Sequence, residues 1–230
     1  MNPIPIIAGV ATVPSREATF RQMLASIADQ VDRVHVYLSG YTAYLKGLPE
    51  NCTQHKPLDD PYGDAGKFMG LQYAYDVEGY YLTFDDDLFY PPDYVETLIK
   101  GIEFHRRKYV CSFHGRSFHN LPIRNYYRDA TRRCYCLREV VCNMSADVPG
   151  TGCAGFHTSA LDLSMADFPS RNMADVHLAV ALRRQGVSAV CLKHAAGWIK
   201  HLPIDHAQSI YNRHKDDCQE QTARINEAFG

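Results

Sequence analysis

The sequence of 230 residues contains no run of eighteen or more apolar residues, so we expect no transmembrane segment. Its first residues, MNPIPIIAGVATVPSRE, lack the basic start and the apolar core of a signal peptide. Without either feature, we expect a cytoplasmic protein.

An excess of charge of one sign is also lacking. The chain has 24 Lys and Arg against 26 Asp and Glu, which gives a formal net charge of −2. A chain so close to neutrality has no overall field that draws it to nucleic acid or to an anionic membrane. We therefore expect no nucleic-acid partner.

Two common nucleotide motifs and the usual zinc motifs are absent as well. No G-x-G-x-x-G fingerprint opens a helix, and no GK[ST] follows a glycine-rich turn, which excludes those dinucleotide and P-loop patterns. Of the eight cysteines, only Cys134, Cys136 and Cys142 cluster, and their spacing is not a standard zinc spacing. We interpret the cysteines as reduced and mostly buried.

The first half of the chain alternates strand and helix patterns. Apolar runs predict strands at 5–12, 33–40, 51–56, 80–84 and 109–115. Between them, helices are predicted from Ser15, which would cap the first one, over 63–76, and over 92–107. This order predicts an α/β fold with a mainly parallel central sheet flanked by helices.

The second half has a different pattern. Residues 132–148 alternate like a small antiparallel hairpin, and 149–161 are glycine-rich and then apolar. A helix is expected over 173–186, ended by Gly186, followed by a strand at 187–192 and a helix over 208–228. We expect a single domain over 1–230, in which 1–115 bind a nucleotide and 116–230 complete the cleft for acceptor and metal.

Three aspartates, Asp85, Asp86 and Asp87, follow the predicted strand at 80–84. In open parallel sheets ligands bind at the carboxyl ends of strands. If the chain stays extended here, Asp85 and Asp87 point to one side, and a divalent cation would relieve their repulsion. Oxygen ligands suit Mg²⁺ or Mn²⁺. The alternative is a solvated acidic turn before a helix.

This stretch, YYLTFDDDLFYPPDYV (80–95), resembles the DxD motif of GT-A-fold glycosyltransferases, especially bacterial family-2-like enzymes. Four further segments resemble that family in the same order along the chain. They are AGVATVPSRE (8–17), GDAGKF (63–68), PGTGCAGFHTSAL (149–161) and NMADVHLAVAL (172–182). The resemblance implies a GT-A-like fold.

The resemblance also implies a metal site for Mn²⁺ or Mg²⁺. Asp87 would bind the metal, Asp85 would contact the ribose or the second side of the metal, and Asp86 would lie on the sugar side or be structural. A histidine near the C-terminus often supplies a second ligand in such enzymes. Of the three candidates we prefer His201 over His194 and His206.

Further donor-binding residues follow from the same comparison of motifs. Those that would hold the nucleotide, the diphosphate or the donor sugar are Ala11, Thr12, Pro14, Arg16, Asp64, Lys67, Gly150, Thr151 and Gly152. Simpler interpretations remain open for three of these positions or groups. In these interpretations Arg16 is a charge on the surface of a helix, Asp64 caps its helix, and the glycine-rich loop is a turn that leads into a strand.

Asp175 is the candidate catalytic base, because an inverting transfer needs a group that takes the proton of the acceptor hydroxyl. The family often has Glu-Asp at this position, whereas this chain has Ala174-Asp175. The alternative is an acid that merely favours its helix N-terminus. The basic and aromatic stretch 113–133 is interpreted as a loop over the donor or as an acceptor surface.

The sequence thus predicts a metal-dependent, inverting glycosyltransferase. It would move a sugar from a nucleoside diphosphate, expected to be UDP, to a hydroxyl group on an unknown glycan, lipid or small molecule. Two alternatives remain at this point. The chain would be a degenerate module that binds UDP and metal, or a metal-dependent nucleotidyltransferase, for which only Arg16 fits the usual loop.

Overall fold

The computed structural model describes residues 3–203 and 216–230. The strands are β1 (Ile6–Thr12), β2 (Arg33–Leu38), β3 (Cys52–His55), β4 (Tyr80–Asp85), β5 (Leu88–Phe89), β6 (Tyr109–Ser112), β7 (Gly115–Ser117), β8 (Arg132–Cys134), β9 (Met144–Ala146), β10 (Val148–Pro149), β11 (Cys153–His157), β12 (Ser188–Cys191) and β13 (Lys200–His201). The α-helices are α1 (Glu17–Ile27), α2 (Leu71–Asp76), α3 (Tyr94–Phe104), α4 (Ala174–Gln185) and α5 (Gln219–Phe229). None of the helices in this part of the chain has the length and apolarity needed to cross a membrane.

Eight strands form the large sheet, in the order β3-β2-β1-β4-β11-β6-β12-β9. The strands from β3 to β4 in this order are parallel, and β12 is parallel to β6. Only β11 and β9 run against their neighbours. The expectation of a mainly parallel α/β sheet is therefore confirmed, and β4 lies inside the sheet.

Helices cover both faces of this sheet, because its central strands are apolar on both faces. On one face, Val10 and Phe84 pack in a cluster with α1 and α3. On the other face, Ile7 and Tyr81 pack in a cluster with α2 and α4. The apolar stripe predicted for α1, which consists of Phe20, Met23, Leu24 and Ile27, is fully part of the first cluster.

Several predicted helix boundaries differ from the structure. Ser15 does not cap α1; it lies in a 3₁₀ helix (Pro14–Arg16) that precedes α1. The segment 63–76 divides into a 3₁₀ helix (Gly63–Phe68) and α2. In the last predicted helix, α5 begins only at Gln219, and 208–215 lie outside the described residues. Short 3₁₀ turns at helix ends are common and give little sequence signal.

A small antiparallel sheet, β10-β7-β8, lies beside the large one, as the predicted fold class requires. Its strand pairing differs in detail from the expected hairpin over 132–148. β8 pairs with β7, whereas β9 pairs with β12 in the large sheet. A further two-stranded ribbon joins β5 to β13. These two small sheets bring residues from the second half of the chain to the end of β4.

Candidate active site

A cleft of about 670 Å³ opens at the carboxyl ends of β1 and β4. The predicted site residues that line it are Ala11, Thr12, Arg16, Asp64, Lys67, Asp85, Asp86, Asp87, Thr151 and Asp175. The remaining predicted site residues are outside its lining: Pro14, Gly150, Gly152 and His201. The fold therefore brings together residues that the sequence separates by more than 160 positions.

The three aspartates at the end of β4 are paired with two cations. Lys67 Nζ donates to Asp85 Oδ1 at 2.5 Å. Arg16 Nη1 donates to Asp86 Oδ1 at 2.8 Å and to Asp87 Oδ2 at 3.2 Å. β4 ends at Asp85, so the side chains do not continue to alternate as they would in an extended chain. Asp86 and Asp87 instead share the Arg16 guanidinium, whereas Asp85 pairs with Lys67.

The pKa values of the three carboxyl groups diverge because their surroundings differ. Burial alone would raise the pKa of Asp85. The charge of the Lys67 ammonium outweighs burial and holds the pKa of Asp85 below its ordinary value. Burial raises the pKa of Asp86, although Arg16 opposes the rise. Burial, together with the charge of Asp85, raises the pKa of Asp87 to about 6. Burial thus disfavours the charged forms of Asp86 and Asp87, whereas Lys67 keeps Asp85 ionised.

The backbone around Asp85 is fixed by Tyr90. The Tyr90 hydroxyl accepts from the Asp85 N–H at 2.9 Å and donates to the Gly152 carbonyl at 2.5 Å. Gly152 is needed here, because a Cβ at this position would lie 2.0 Å from Asp85 Oδ2. The glycine-rich loop thus packs directly against Asp85. That the backbone of this loop also approaches a donor sugar closely stays a prediction.

His201 is positioned near Asp87 by the small ribbon of β5 and β13. In that ribbon His201 pairs with Leu88, and the Leu202 N–H donates to the Asp87 carbonyl at 2.8 Å. His201 Nε2 lies 3.9 Å from Asp87 Oδ2, while Nδ1 is 2.6 Å from the Leu202 carbonyl. His194, in contrast, contacts the carbonyls of Leu192 and Tyr135. His206 lies outside the described residues.

The donor set fits a divalent cation that takes part of its coordination from elsewhere. Within residues 3–203 and 216–230, no group of three or more His, Cys, Asp and Glu side chains is arranged to hold a metal alone. Asp87 and His201 nevertheless offer an oxygen and a nitrogen that face each other. Mg²⁺ and similar ions commonly complete their shells with water and phosphate oxygens, so two protein ligands are compatible with such a site.

Asp175 lies in the first turn of α4 and is held by Thr151. Both the backbone N–H and the hydroxyl of Thr151 donate to Asp175 Oδ1, at 2.8 and 2.7 Å. Among the described residues no hydrogen bond reaches Asp175 Oδ2. The carboxylate is therefore fixed through one oxygen, and Asp175 lines the cleft.

Asp64 and Lys67 belong to the 3₁₀ helix at 63–68, which packs closely on β1. Gly9 permits this contact, because a Cβ there would lie 1.9 Å from the Lys67 carbonyl oxygen. Asp64 Oδ1 accepts from the Ala174 N–H at 3.4 Å, so it caps α4 rather than its own helix. Burial raises the pKa of Asp64 to about 7, and the charges of Asp175 and Asp85 act in the same direction.

The comparisons with known proteins place this geometry in a known fold. No protein-family model and no curated protein matches the chain. The crystal structure of GalNAc-T7 with UDP, GalNAc and Mn²⁺ overlaps with 89% of this chain, with 8% identity and a TM-score of 0.58. This chain has a GT-A-like fold. It spans 45% of the GalNAc-T7 chain.

Two other solved structures overlap less well. S. aureus TarS matches over 90% of this chain and 37% of its own, with 13% identity and a TM-score of 0.46. The 2-C-methyl-D-erythritol 4-phosphate cytidylyltransferase from Thermus thermophilus matches over 97% of both chains, with 13% identity and a TM-score of 0.36. At these TM-scores neither overlap supports an argument about the present chain.

Several residues that line the cleft belong to no motif that marks them individually in the sequence. These are Ser39, His114, Arg116, Tyr126, Tyr127, Arg133, Tyr135, Arg171 and Asn172. Most of them come from the stretch 113–133 or its edge, which the sequence marked only as basic and aromatic. This composition was the only sequence signal that pointed to them. No rule of residue spacing distinguishes the arginines that line the cleft from neighbouring arginines.

Proposed function

We propose that this protein is a metal-dependent glycosyltransferase that moves a sugar from a nucleoside diphosphate to a hydroxyl group of an acceptor. The observation that carries the proposal is the convergence of Asp87 and His201 at the end of β4, 3.9 Å apart and beside the cleft. The GT-A-like fold supports this assignment, and the GalNAc-T7 structure with UDP and Mn²⁺ makes UDP the first nucleotide to test.

Asp87 and His201 would hold the cation in this proposal. Their mixed oxygen and nitrogen donors favour Mn²⁺ over Mg²⁺, which prefers oxygen ligands. When bound, the cation neutralises the diphosphate and stabilises it as the leaving group. Arg16 lies 3.2 Å from Asp87 and is therefore placed to donate to the same diphosphate. Lys67 keeps Asp85 ionised beside them.

Asp175 is the proposed base. Thr151 holds Oδ1, so Oδ2 is available to accept the proton of the acceptor hydroxyl. The acceptor oxygen then forms a bond to the anomeric carbon of the sugar. The bond between this carbon and the diphosphate oxygen breaks, and its electron pair leaves with the diphosphate. A single displacement of this kind inverts the anomeric configuration.

Sugar release and transfer from labelled UDP-sugars with Mn²⁺ test the proposal. The wild type should turn over at least one donor, with inversion at the anomeric carbon as seen by NMR. Asp175→Asn should lower the rate by about 10²–10⁴-fold, the usual contribution of a general base, without changing UDP affinity. Asp162→Asn, an exposed acid outside the cleft, is the matched control.

Two results would count against the proposal. If every donor binds but none is transferred or hydrolysed, the protein is a nucleotide-binding module. If Asp175→Asn retains the full rate of transfer, the base is another residue and the inverting step loses its support.

A further inference from the structure

A second wall of the cleft carries positive charge that no carboxylate of the described residues neutralises. This basic wall consists of Arg116 on β7, Arg133 on β8, and Tyr126 and Tyr127 on the loop between them. The other cleft arginines are paired: Arg16 with Asp86 and Asp87, and Arg171 with Asp60 at 2.6 Å. Within the described residues, Arg116 and Arg133 make no ion pair with a carboxylate.

Both arginines are nevertheless held in place by the same loop. The Arg116 guanidinium lies 4.3 Å from the ring centre of Tyr126 and 5.3 Å from that of Tyr127, and Nη1 donates to the Tyr126 carbonyl at 3.3 Å. Arg133 Nη2 donates to the carbonyls of Tyr127 and Arg128, at 3.0 and 2.6 Å. A stacked guanidinium keeps the N–H groups along its edge available for an anion.

The basic wall lies beside Asp175 rather than beside Asp87. Arg116 pairs with Val148 in the small sheet, three residues before Thr151, which holds Asp175. Burial raises the pKa of Tyr127 to about 12, while the charge of Arg116 lowers it and that of Asp175 raises it, so both charges act on this residue of the basic wall. In contrast, the basic side chains next to Asp87 are Arg16, at 3.2 Å, and His201, at 3.9 Å.

We propose that Arg116 and Arg133 bind an oxyanion of the acceptor, a phosphate or a carboxylate, and thereby place its hydroxyl group at Asp175. Planar guanidinium groups with fixed orientation bind both of these anions through paired hydrogen bonds. Two fixed cations that no carboxylate of the described residues pairs with gain more from such a ligand than paired ones do. The acceptor role rests on the proposed glycosyltransferase function, whereas the anion site itself does not.

Titration calorimetry with inorganic phosphate, at constant ionic strength, tests the site directly. Phosphate is titrated into the protein alone and into the protein saturated with UDP and Mn²⁺, so that the donor diphosphate is already in place. We expect phosphate to bind in both cases. Removing both charges in Arg116→Gln/Arg133→Gln should weaken binding by about a hundredfold, or about tenfold for each arginine.

Arg132→Gln is the matched control, because this exposed neighbour on β8 does not line the cleft and should leave phosphate affinity unchanged. If Arg116→Gln reduces folding, as judged by its melting temperature, Arg133→Gln alone and Arg116→Lys supply the comparison. No phosphate binding by the wild type, or equal binding by the wild type and the folded variants, overturns the anion site.

A second assay compares three acceptors with one labelled donor: a neutral hexose, a hexose 6-phosphate and a hexuronate. Preference for the phosphate or for the carboxylate identifies which oxyanion the site takes, and this preference should disappear in Arg133→Gln. Equal use of all three acceptors overturns the acceptor role. If phosphate binds but no donor is turned over, the anion site stands while its acceptor role fails. If a donor is turned over but phosphate does not bind, the proposed transferase function stands and the anion site at Arg116 and Arg133 is overturned.

Discussion

The two walls of the cleft hold their charges in different ways. On the acidic wall, formed by Asp85, Asp86 and Asp87, every carboxylate lies within 3.2 Å of the nitrogen of a cationic side chain. On the basic wall, Arg116 and Arg133 contact only backbone carbonyls and tyrosine rings among the described residues. On the acidic wall two cations thus face three carboxylates, which leaves an excess of one negative charge. On the basic wall no carboxylate of the described residues pairs with either arginine.

Because of this difference, we expect the Lys67–Asp85 pair to contribute to stability and the basic wall to contribute to ligand binding. Lys67 is 4% exposed, so its ion pair with Asp85 belongs to the packed interior as well as to the site. Removing one partner of such a pair leaves a buried charge unmatched. Arg133 is exposed, and its loss removes no ion pair from the described structure. Substitution of Asp85 should therefore lower stability, whereas substitutions on the basic wall should lower ligand affinity.

The largest expected effect is that of Asp85→Asn on the free energy of unfolding. This change leaves the Lys67 ammonium without its closest carboxylate. Because the Asp85 side chain is 42% exposed and the charge of Asp64 still acts on Lys67, we expect a loss of about 2 kcal/mol. Urea denaturation of purified variants measures it. Glu96→Gln, which breaks the exposed pair with Lys100, should cost at most about 0.5 kcal/mol. Equal effects of the two substitutions would mean that the Lys67–Asp85 pair stabilises the protein no more than an exposed ion pair does.

An intermediate effect is expected for Thr151→Val, which keeps the shape of a side chain that is 1% exposed. Asp175 Oδ1 then retains the backbone N–H of residue 151 but loses the hydroxyl donor at 2.7 Å. One such hydrogen bond is worth about 1.5 kcal/mol, so kcat should fall about tenfold. UDP affinity, measured separately, should not change. A fall in UDP affinity with normal kcat would show that Thr151 acts on the donor instead.

The smallest expected effect has the opposite sign and concerns Asp64. Its pKa of about 7 lies above the value of 3.8 expected in the unfolded chain, so between these values the folded state binds the extra proton. The contribution of Asp64 to stability is therefore present at low pH and is lost as the pH rises through 7. Asp64→Asn removes this loss and should raise the free energy of unfolding at pH 8 by on the order of 1 kcal/mol.

Urea denaturation of wild type and Asp64→Asn at pH 5 and pH 8 measures this contribution. The variant keeps an acceptor for the Ala174 N–H and should gain relative to the wild type at both pH values, but more at pH 8 than at pH 5. A variant that is equally destabilised at both pH values would mean that Asp64 is mainly a cap of α4.

Local patterns in the sequence were sufficient for most of the framework. The apolar run before Asp85 predicts β4, which is buried along most of its length because helices cover both faces of the sheet. The stripe from Phe20 to Ile27 predicts the buried face of α1. Gly186 ends α4 as expected, with a φ of 68° that favours glycine. These features depend on neighbours within a few residues.

Features that depend on distant partners were not predictable in the same way. The segment 132–148 alternates like a hairpin, but β8 and β9 join different sheets, because alternation sets the buried face and not the partner strand. Arg116 and Arg133 meet at one wall only through the pairing of β7 with β8. The sequence showed three acids in a row, but it did not show that Lys67 and Arg16 divide them into separate pairs.

The most direct test of the central claim is UDP binding by titration calorimetry, with Mn²⁺ and with EDTA. The wild type should bind UDP only when the metal is present. Asp87→Ala and His201→Ala should each weaken metal-dependent binding by about tenfold or more, while His194→Ala, whose ring contacts backbone carbonyls, should not. UDP affinity that is unaffected by EDTA, or that falls with His194→Ala but not with His201→Ala, would contradict a metal site between Asp87 and His201.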